Sequence, residues 1–260
     1  MAVDTSEIVK LGWDNNTTTG TWSMVSGTAN SGFEVTNLGD LDRKKTFRST
    51  AGETGTIEFK LTLAASDTLN AIVLASSNIQ VGATCQYKID AGAYVNFTLT
   101  GGVSATDEVA AVVFADASAS SITIKVADPG NPDGYVEVGA AFVGPLLQPS
   151  YNHDRTIPTE EVDPSEVDEA NDGTLIINEK SQWRRFQINW AESWLTDADY
   201  TAMRAMVRGA GRRTPVVLIA DYSNEPTEST AYGYLESWTP HGRLLGKGIT
   251  RWSLTFREAV

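Results

Sequence analysis

Gly55-Thr-Ile-Glu-Phe-Lys-Leu-Thr-Leu63 alternates apolar and polar residues, which puts Ile57, Phe59, Leu61 and Leu63 on one face of a β-strand. A few residues on, Leu69-Asn-Ala-Ile-Val-Leu-Ala75 is nearly continuous in apolar character, the pattern of a central strand covered on both faces. Outward from this pair, Cys85–Ile89 and Tyr94–Leu99 flank the short loop Asp90-Ala-Gly-Ala93 and read as a hairpin. Ser121-Ile-Thr-Ile-Lys-Val126 alternates again. Asp128-Pro-Gly-Asn-Pro-Asp-Gly134 is dense in turn chemistry, and Tyr135-Val-Glu-Val-Gly-Ala-Ala-Phe-Val143 closes the series. Short strands recurring at intervals of roughly ten residues predict a β-sandwich or jelly roll over residues 1–146.

Periodicity disappears from about Gly144 to Gly173. Pro145, Pro149, Pro158 and Pro164 forbid a regular helix, and the acids between them repel one another. Residues 147–172 therefore read as an extended acidic arm that reaches another domain or subunit. Residues 173–260 have a different texture. Trp183-Arg-Arg-Phe-Gln-Ile-Asn-Trp190 sets Phe186, Ile188 and Trp190 on one strand face. Thr196 with Asp199 approximates a capping box, and Tyr200, Met203 and Val207 form an apolar stripe, predicting a helix over about 196–209. Gly209 or Gly211 supplies its stop. Strands at Pro215–Ala220, Ala231–Trp238 and Ile249–Phe256 complete a β-sheet unit with a single helix. The chain is thus mainly β.

Charge separates the same regions. The net charge is −13, which disfavours non-specific nucleic-acid binding. Residues 1–146 carry 16 acids against 8 bases, residues 158–172 carry 7 acids and no base, and residues 173–260 carry 9 acids against 11 bases. No apolar run approaches the ~20 residues that cross a bilayer, and the N-terminus lacks a secretory pattern. A soluble protein made in a cytoplasm is expected. Cys85 has no partner for a disulfide and reads as a small buried hydrophobe.

Catalytic chemistry finds no foothold. His153 and His241 are the two histidines, and Cys85 is remote from both in sequence, so no metal site and no cofactor is expected. No nucleophile elbow, phosphate loop or dinucleotide fingerprint occurs. Asp128, Asn131 and Asp133 crowd one turn, but the spacing is not that of a calcium loop. Trp13, Trp22 and Tyr94 are candidate rings for stacking on a sugar, although Trp in a sandwich is more often a packing residue. Arg204, Arg208, Arg212 and Arg213 form a basic ridge on the helix. The acids Glu160, Glu161, Asp163 and Glu166 of a neighbouring subunit are candidates to lie against that ridge and set register.

Three stretches form a familiar set: Phe47-Arg-Ser-Thr50, the strand ending Ala75-Ser-Ser-Asn-Ile79 before Gly82-Ala-Thr84, and Gly134-Tyr-Val-Glu-Val-Gly139. Together they resemble a jelly-roll domain of tailed-phage tail proteins, itself similar to the discoidin or galactose-binding fold. Downstream, Gly144-Pro, the Tyr151-Asn arm, Trp183-Arg-Arg-Phe, the Gly209–Val217 segment, Tyr232-Gly-Tyr-Leu and the terminal Leu254-Thr-Phe-Arg-Glu258 resemble the remainder of the same family, distal tail or minor tail proteins of the baseplate. The resemblance implies a non-enzymatic virion structural protein, made in the host cytoplasm. It also implies a homo-oligomeric ring that joins the tail tube to the tip beside neighbouring tail proteins. The competing expectation is a carbohydrate-binding module that recognises a host-surface glycan, without membrane insertion.

Overall fold

The computed structural model describes residues 9–42, 44–80, 82–97, 109–154, 157–169, 175–221, 230–244 and 249–259. Its strands begin with β1 (Lys10–Gly12), β2 (Thr21–Ser26), β3 (Phe47–Arg48), β4 (Ile57–Ser77) and β5 (Thr84–Ile89). They continue with β6 (Val95–Phe97), β7 (Val109–Ala127), β8 (Glu137–Gly144) and β9 (Leu146–Leu147). Then come β10 (Thr159–Val162), β11 (Glu166–Glu169), β12 (Leu175–Asn178), β13 (Trp183–Leu195) and the helix α1 (Asp197–Ala210). The last strands are β14 (Val216–Ile219), β15 (Thr230–Leu244) and β16 (Ile249–Glu258). Contacts divide the chain into two compact units, one made of Lys10–Gln148 with Val217–Ala231, the other chiefly of Pro149–Val216 with Tyr232–Val260.

The first unit is built on two long strands. β4 has 21 residues and β7 has 19, and they pair antiparallel from Ile57↔Val126 to Ala75↔Val109. The two apolar segments expected at 55–63 and 69–75 are therefore one strand, whose exposed middle, 64–68, separates two buried ends. β2 lies along the N-terminal half of β4, and β5 with β6 extends beyond β7. β8 and then β3 lie along the C-terminal half of β4. Register breaks midway, between Thr62 and Asp67 and between Leu69 and Ala71, let the sheet double over. Its two halves enclose one core. Ile57, Phe59 and Leu61 come from one half of β4, and Ile72 and Leu74 from the other. Phe59 sits between Trp22, at 5.7 Å, and Phe47, at 5.6 Å, tying β4 to β2 and β3. The apolar run at Ala71–Ala75 is buried at every residue, as its lack of alternation requires. β1 pairs with β9 and with β14, setting Leu11 opposite Leu147 and Leu218. The chain passes closely there, because a Cβ at Gly144 would meet the carbonyl oxygen of Asp14.

The second unit contains the antiparallel series β10–β13–β16–β15. Phe186, Ile188 and Trp190 are buried on one face of β13, as the alternation requires. Phe186 meets Phe256 edge-on at 6.0 Å. The helix runs as its sequence signals indicate. Thr196 caps it, with reciprocal bonds to and from Asp199, and Gly211 follows at φ +55°. Met203, Met206 and Val207 are buried, and Tyr200 packs edge-on against Trp252 at 5.5 Å. Among the described residues, no helix is long and apolar enough to cross a membrane.

The acidic arm carries strands. It is not bare chain, because Thr159–Val162 joins the sheet as β10 against β13 and Glu166–Glu169 pairs with Leu175–Asn178 as a hairpin. Backbone pairing satisfies polar groups of these strands, and Arg185 and Lys180 form ion pairs with Glu160 at 2.9 Å and Glu166 at 2.5 Å. Leu99 and Asp172 lie outside the described residues.

Replacing Phe59 by Ala leaves a cavity where β2, β3 and β4 converge. The expected cost is about 3–5 kcal/mol, read as a lowered urea midpoint of the sandwich unit. Cys85 is buried on β5, and burial pushes its thiol up to about 12. Alkylation at pH 8 should therefore be negligible in the folded protein and rapid in urea, since only the thiolate reacts; rapid labelling without denaturant would refute the burial.

Candidate functional site

The second irregularity between β4 and β7 shapes a cleft. Leu69 pairs with Ala117 and Ala71 with Val113, so the single residue Asn70 faces Phe114, Ala115 and Asp116. Extra residues in one strand re-aim side chains and end regular pairing locally. The result is a cleft of about 460 Å³, lined by Asn70, Phe114 and Asp116 from this irregularity, by the adjoining Val113, and by Lys10 of β1, Leu146 and Leu147 of β9 and the following Gln148. All eight belong to the sandwich unit. The cleft falls within the range of ordinary small-ligand sites.

Its polar groups are held in place. Asn70 Nδ2 donates to Asp116 Oδ1 at 3.0 Å, and Asn70 Oδ1 accepts from the Leu146 backbone N–H at 2.7 Å. The amide is thereby fixed in one orientation and pins the carboxylate. Phe114 stacks on Tyr87 at 4.8 Å, which fixes the aromatic wall. Burial lowers the Lys10 ammonium from its ordinary value, and the nearby Asp221 carboxylate opposes that shift. The lining combines hydrogen-bonding and apolar residues, with one cation and one anion among them.

A second polar cluster closes one end of the sandwich. Arg48 lies between the rings of Phe33, at 4.4 Å, and Tyr135, at 4.5 Å. Its Nε and Nη2 donate to Glu137 Oε2 at 3.1 and 2.8 Å, and Thr46 Oγ1 donates to Oε1 at 2.8 Å. Asn78 joins the same end, donating to the Tyr135 carbonyl at 2.9 Å and accepting from the Glu137 N–H at 2.7 Å. Arg48, Asn78, Tyr135 and Glu137 come from the three familiar stretches of the first half, which the fold makes neighbours. Their bonds are spent on one another, so the cluster works as a clamp on the loops.

The rings proposed from sequence do not gather. Trp22 is 4% exposed and packs on Phe59, so it is a core residue and not a stacking platform; its place on the inward face of β2 is the reason. Trp13 is half-buried after β1. Tyr94 follows the β5–β6 turn, its hydroxyl donating to Glu58 at 3.0 Å and its ring under the ammonium groups of Lys88, at 4.5 Å, and Lys125, at 5.4 Å. Asp128, Asn131 and Asp133 form a turn in which Asp128 accepts from the Gln80 N–H and the Asn131 amide, and Asp133 from Asn78. Three or more metal-ligating side chains do not cluster anywhere among the described residues.

The proposed interface residues also have definite places. Glu160 pairs with Arg185, Glu166 pairs with Lys180 at 2.5 Å, and Asp163 accepts from Ser165 and Gln182, while Glu161 is exposed. Arg204 and Arg208 are exposed on α1, and Arg212 and Arg213 are exposed just beyond it. Arg212 also stands over the Trp238 ring at 5.8 Å. His153 contacts the Asp154 carbonyl, and the side chain of His241 lies outside the described residues. Sequence reasoning missed Asn70, Phe114 and Asp116; the one legible signal was Asn70, a polar residue inside an apolar run.

No protein-family model matches the chain, and no curated protein matches it. Among solved structures, a chitosan-binding module from a chitosanase/glucanase of Paenibacillus sp. IK-5 is 20% identical, covering 50% of this chain and 98% of the module with a TM-score of 0.40. The family 32 carbohydrate-binding module of Clostridium perfringens NanJ, solved with galactose, is 12% identical over 52% of this chain and 98% of its own, with a TM-score of 0.41. A module of that family from a Clostridium perfringens family 31 glycoside hydrolase is 15% identical over 51% and 99%, with a TM-score of 0.40. None of the three is a tail or baseplate component.

Arg48→Ala leaves the half-buried Glu137 carboxylate without its guanidinium partner and is expected to cost about 1–3 kcal/mol in a urea titration. Arg48→Lys should fail to restore that loss, because an ammonium cannot make the paired bonds or the double stack.

Proposed function

We propose that the sandwich unit is a non-catalytic module that binds a glycan in the cleft at Asn70, Phe114 and Asp116. The observation that carries this is the three-against-one mismatch between β7 and β4, which turns an aromatic wall and a pinned carboxylate toward one cleft. A pyranose ring has a hydroxyl edge and a C–H face. Asp116 and Gln148 supply acceptors and donors to the edge, and Phe114, Val113 and Leu146 supply an apolar wall for the face. Lys10 and Asp116 balance in charge, which favours a neutral or singly charged sugar over a polyanion. Preorganisation by Asn70 and Tyr87 lowers the ordering cost of binding.

A second reading is a virion structural protein of a tailed phage, assembled at the tail tip. Beyond the resemblance of the quoted motifs, the hairpin β11–β12 favours it. Val167, Leu175 and Ile177 are 61%, 60% and 57% exposed there, an apolar surface without use in a free-standing module. The two readings are compatible, because a tail-tip protein can carry a module that touches the host surface.

A glycan array on the full chain, followed by calorimetry on the best ligand, tests the first reading. Asp116→Ala should weaken binding about ten- to a hundredfold, the loss of a hydrogen bond to a charged group, with the unfolding midpoint unchanged. Binding that ignores Asp116 and Phe114 but disappears in Tyr94→Ala would move the site to the β5–β6 turn and overturn the proposal.

A further inference from the structure

β4, β7 and β5 of the sandwich unit also turn a polar face away from the core. Phe59, Ile122, Ile124, Cys85 and Tyr87 point inward, so strand alternation sends Glu58, Lys60, Thr123, Lys125, Gln86 and Lys88 to the opposite side. Residues 1–146 carry twice as many acids as bases, yet three lysines meet on this face with Glu58. Thr123 stands opposite Lys60 of β4 and opposite Lys88 of β5. Paired strands lie about 4.8 Å apart, so the two lysines flank the threonine closely. Lys125 occupies the next position of β7 on the same face, between Glu58 and Gln86.

Positive charge here exceeds its internal partners. Glu58 Oε1 lies 3.8 Å from the Lys125 ammonium, and its Oε2 accepts from the Tyr94 hydroxyl at 3.0 Å. Among the described residues, Lys60 and Lys88 have no ion pair. Asp90, at the end of β5, spends its carboxylate on Ser120 and Ser121. Tyr94 gathers two of the cations, with the Lys88 and Lys125 ammonium groups 4.5 and 5.4 Å from its ring centroid. Like charges held over one ring repel unless an anion joins them. Thr123 adds an independent sign. It is 2% exposed, yet its hydroxyl has no hydrogen-bond partner among the described residues. Buried polar groups are ordinarily bonded. An anionic oxygen seated among the lysines would accept from that hydroxyl and from the ammonium groups together.

We propose that this face is a second binding site, which takes the carboxylate of a short acidic saccharide between Lys60, Lys88 and Lys125 with the Thr123 hydroxyl donating to it. None of these residues lines the cleft at Asn70, so the site stands independently of that one. Gln86 and Asn96 border it and are bonded to each other at 2.6 Å, which fixes both amides. The Gln86 carbonyl and the Asn96 amino group remain for ring hydroxyls, which suits a sugar better than a bare ion. The net charge of −13 is screened beyond about 8 Å at physiological salt, so the local surplus of lysine decides what binds. A long polyanion would run onto the acidic remainder of the unit, and a short acidic sugar would not.

The test titrates the isotopically labelled full chain with glucuronate and its disaccharide, and with glucose as the neutral analogue, at constant ionic strength. Glucuronate should shift the amides of Lys60, Lys88 and Thr123 saturably, and glucose should leave them in place. Thr123→Val removes the hydroxyl and keeps the shape. It should weaken glucuronate binding about tenfold without lowering the unfolding midpoint, since no internal bond is lost. Lys60→Gln with Lys88→Gln should weaken it at least about tenfold. Asp116→Ala, in the cleft, should leave it unchanged. Glucose shifting the same amides as strongly would overturn the proposal. So would acetate or sulfate competing as well as glucuronate, which would mean an adventitious ion only. Binding lost in Asp116→Ala and kept in Thr123→Val would place the acidic sugar in the cleft, overturning this second site and leaving the first.

Discussion

The first unit depends on one pairing, that of β4 with β7. Each strand is long enough to belong to both halves of the sandwich, and each brings an apolar stripe to the common core. A sheet this long cannot stay flat, since strand twist accumulates along it. The register breaks near Thr62 and near Asn70 take up the bend. The same breaks that allow the sandwich to close also expose irregular backbone at its flank. Structure and candidate site therefore share a cause: the bulge that folds the sheet places Phe114 and Asp116 at the cleft.

The strands were legible because their patterns are local. Ile57, Phe59, Leu61 and Leu63 alternate by two, and the Thr196–Asp199 cap and the Met203–Val207 stripe obey the helical spacing. The sequence does not carry register. That 57–63 and 69–75 are one strand depends on pairing with β7, a partner distant in sequence, which no local pattern encodes. The hairpin at Glu166 was hidden for a related reason. Acids and Pro164 dominate its composition, while Leu175, Ile176 and Ile177 are too short a run to stand out.

The site was less legible than the fold. Trp22 and Tyr94 drew notice as aromatics near turns, but Trp22 faces inward from β2 and Tyr94 is engaged by Glu58, Lys88 and Lys125. Residue type signals chemistry, and only topology decides which residues meet. Asn70 and Asp116 are 46 apart in sequence and hydrogen-bonded in space. By contrast, the motifs around Arg48 and Glu137 were noticed as a set, and they meet because β3 pairs with β8, Arg48 opposite Glu137. Their role is to hold the loop end together, and the cleft at Asn70 is a separate feature.

The proposed sugar site is the cleft beside the β4–β7 bulge. The most direct measurement is a titration of isotopically labelled protein with galactose, glucosamine and their oligomers, followed by amide chemical shifts. Binding in the cleft should give saturable shifts that converge on the side-chain amides of Asn70 and Gln148 and on the backbone of Phe114 and Asp116. Shifts confined to Tyr94, or to Phe33 and Tyr135, or no shift with any sugar, would contradict it.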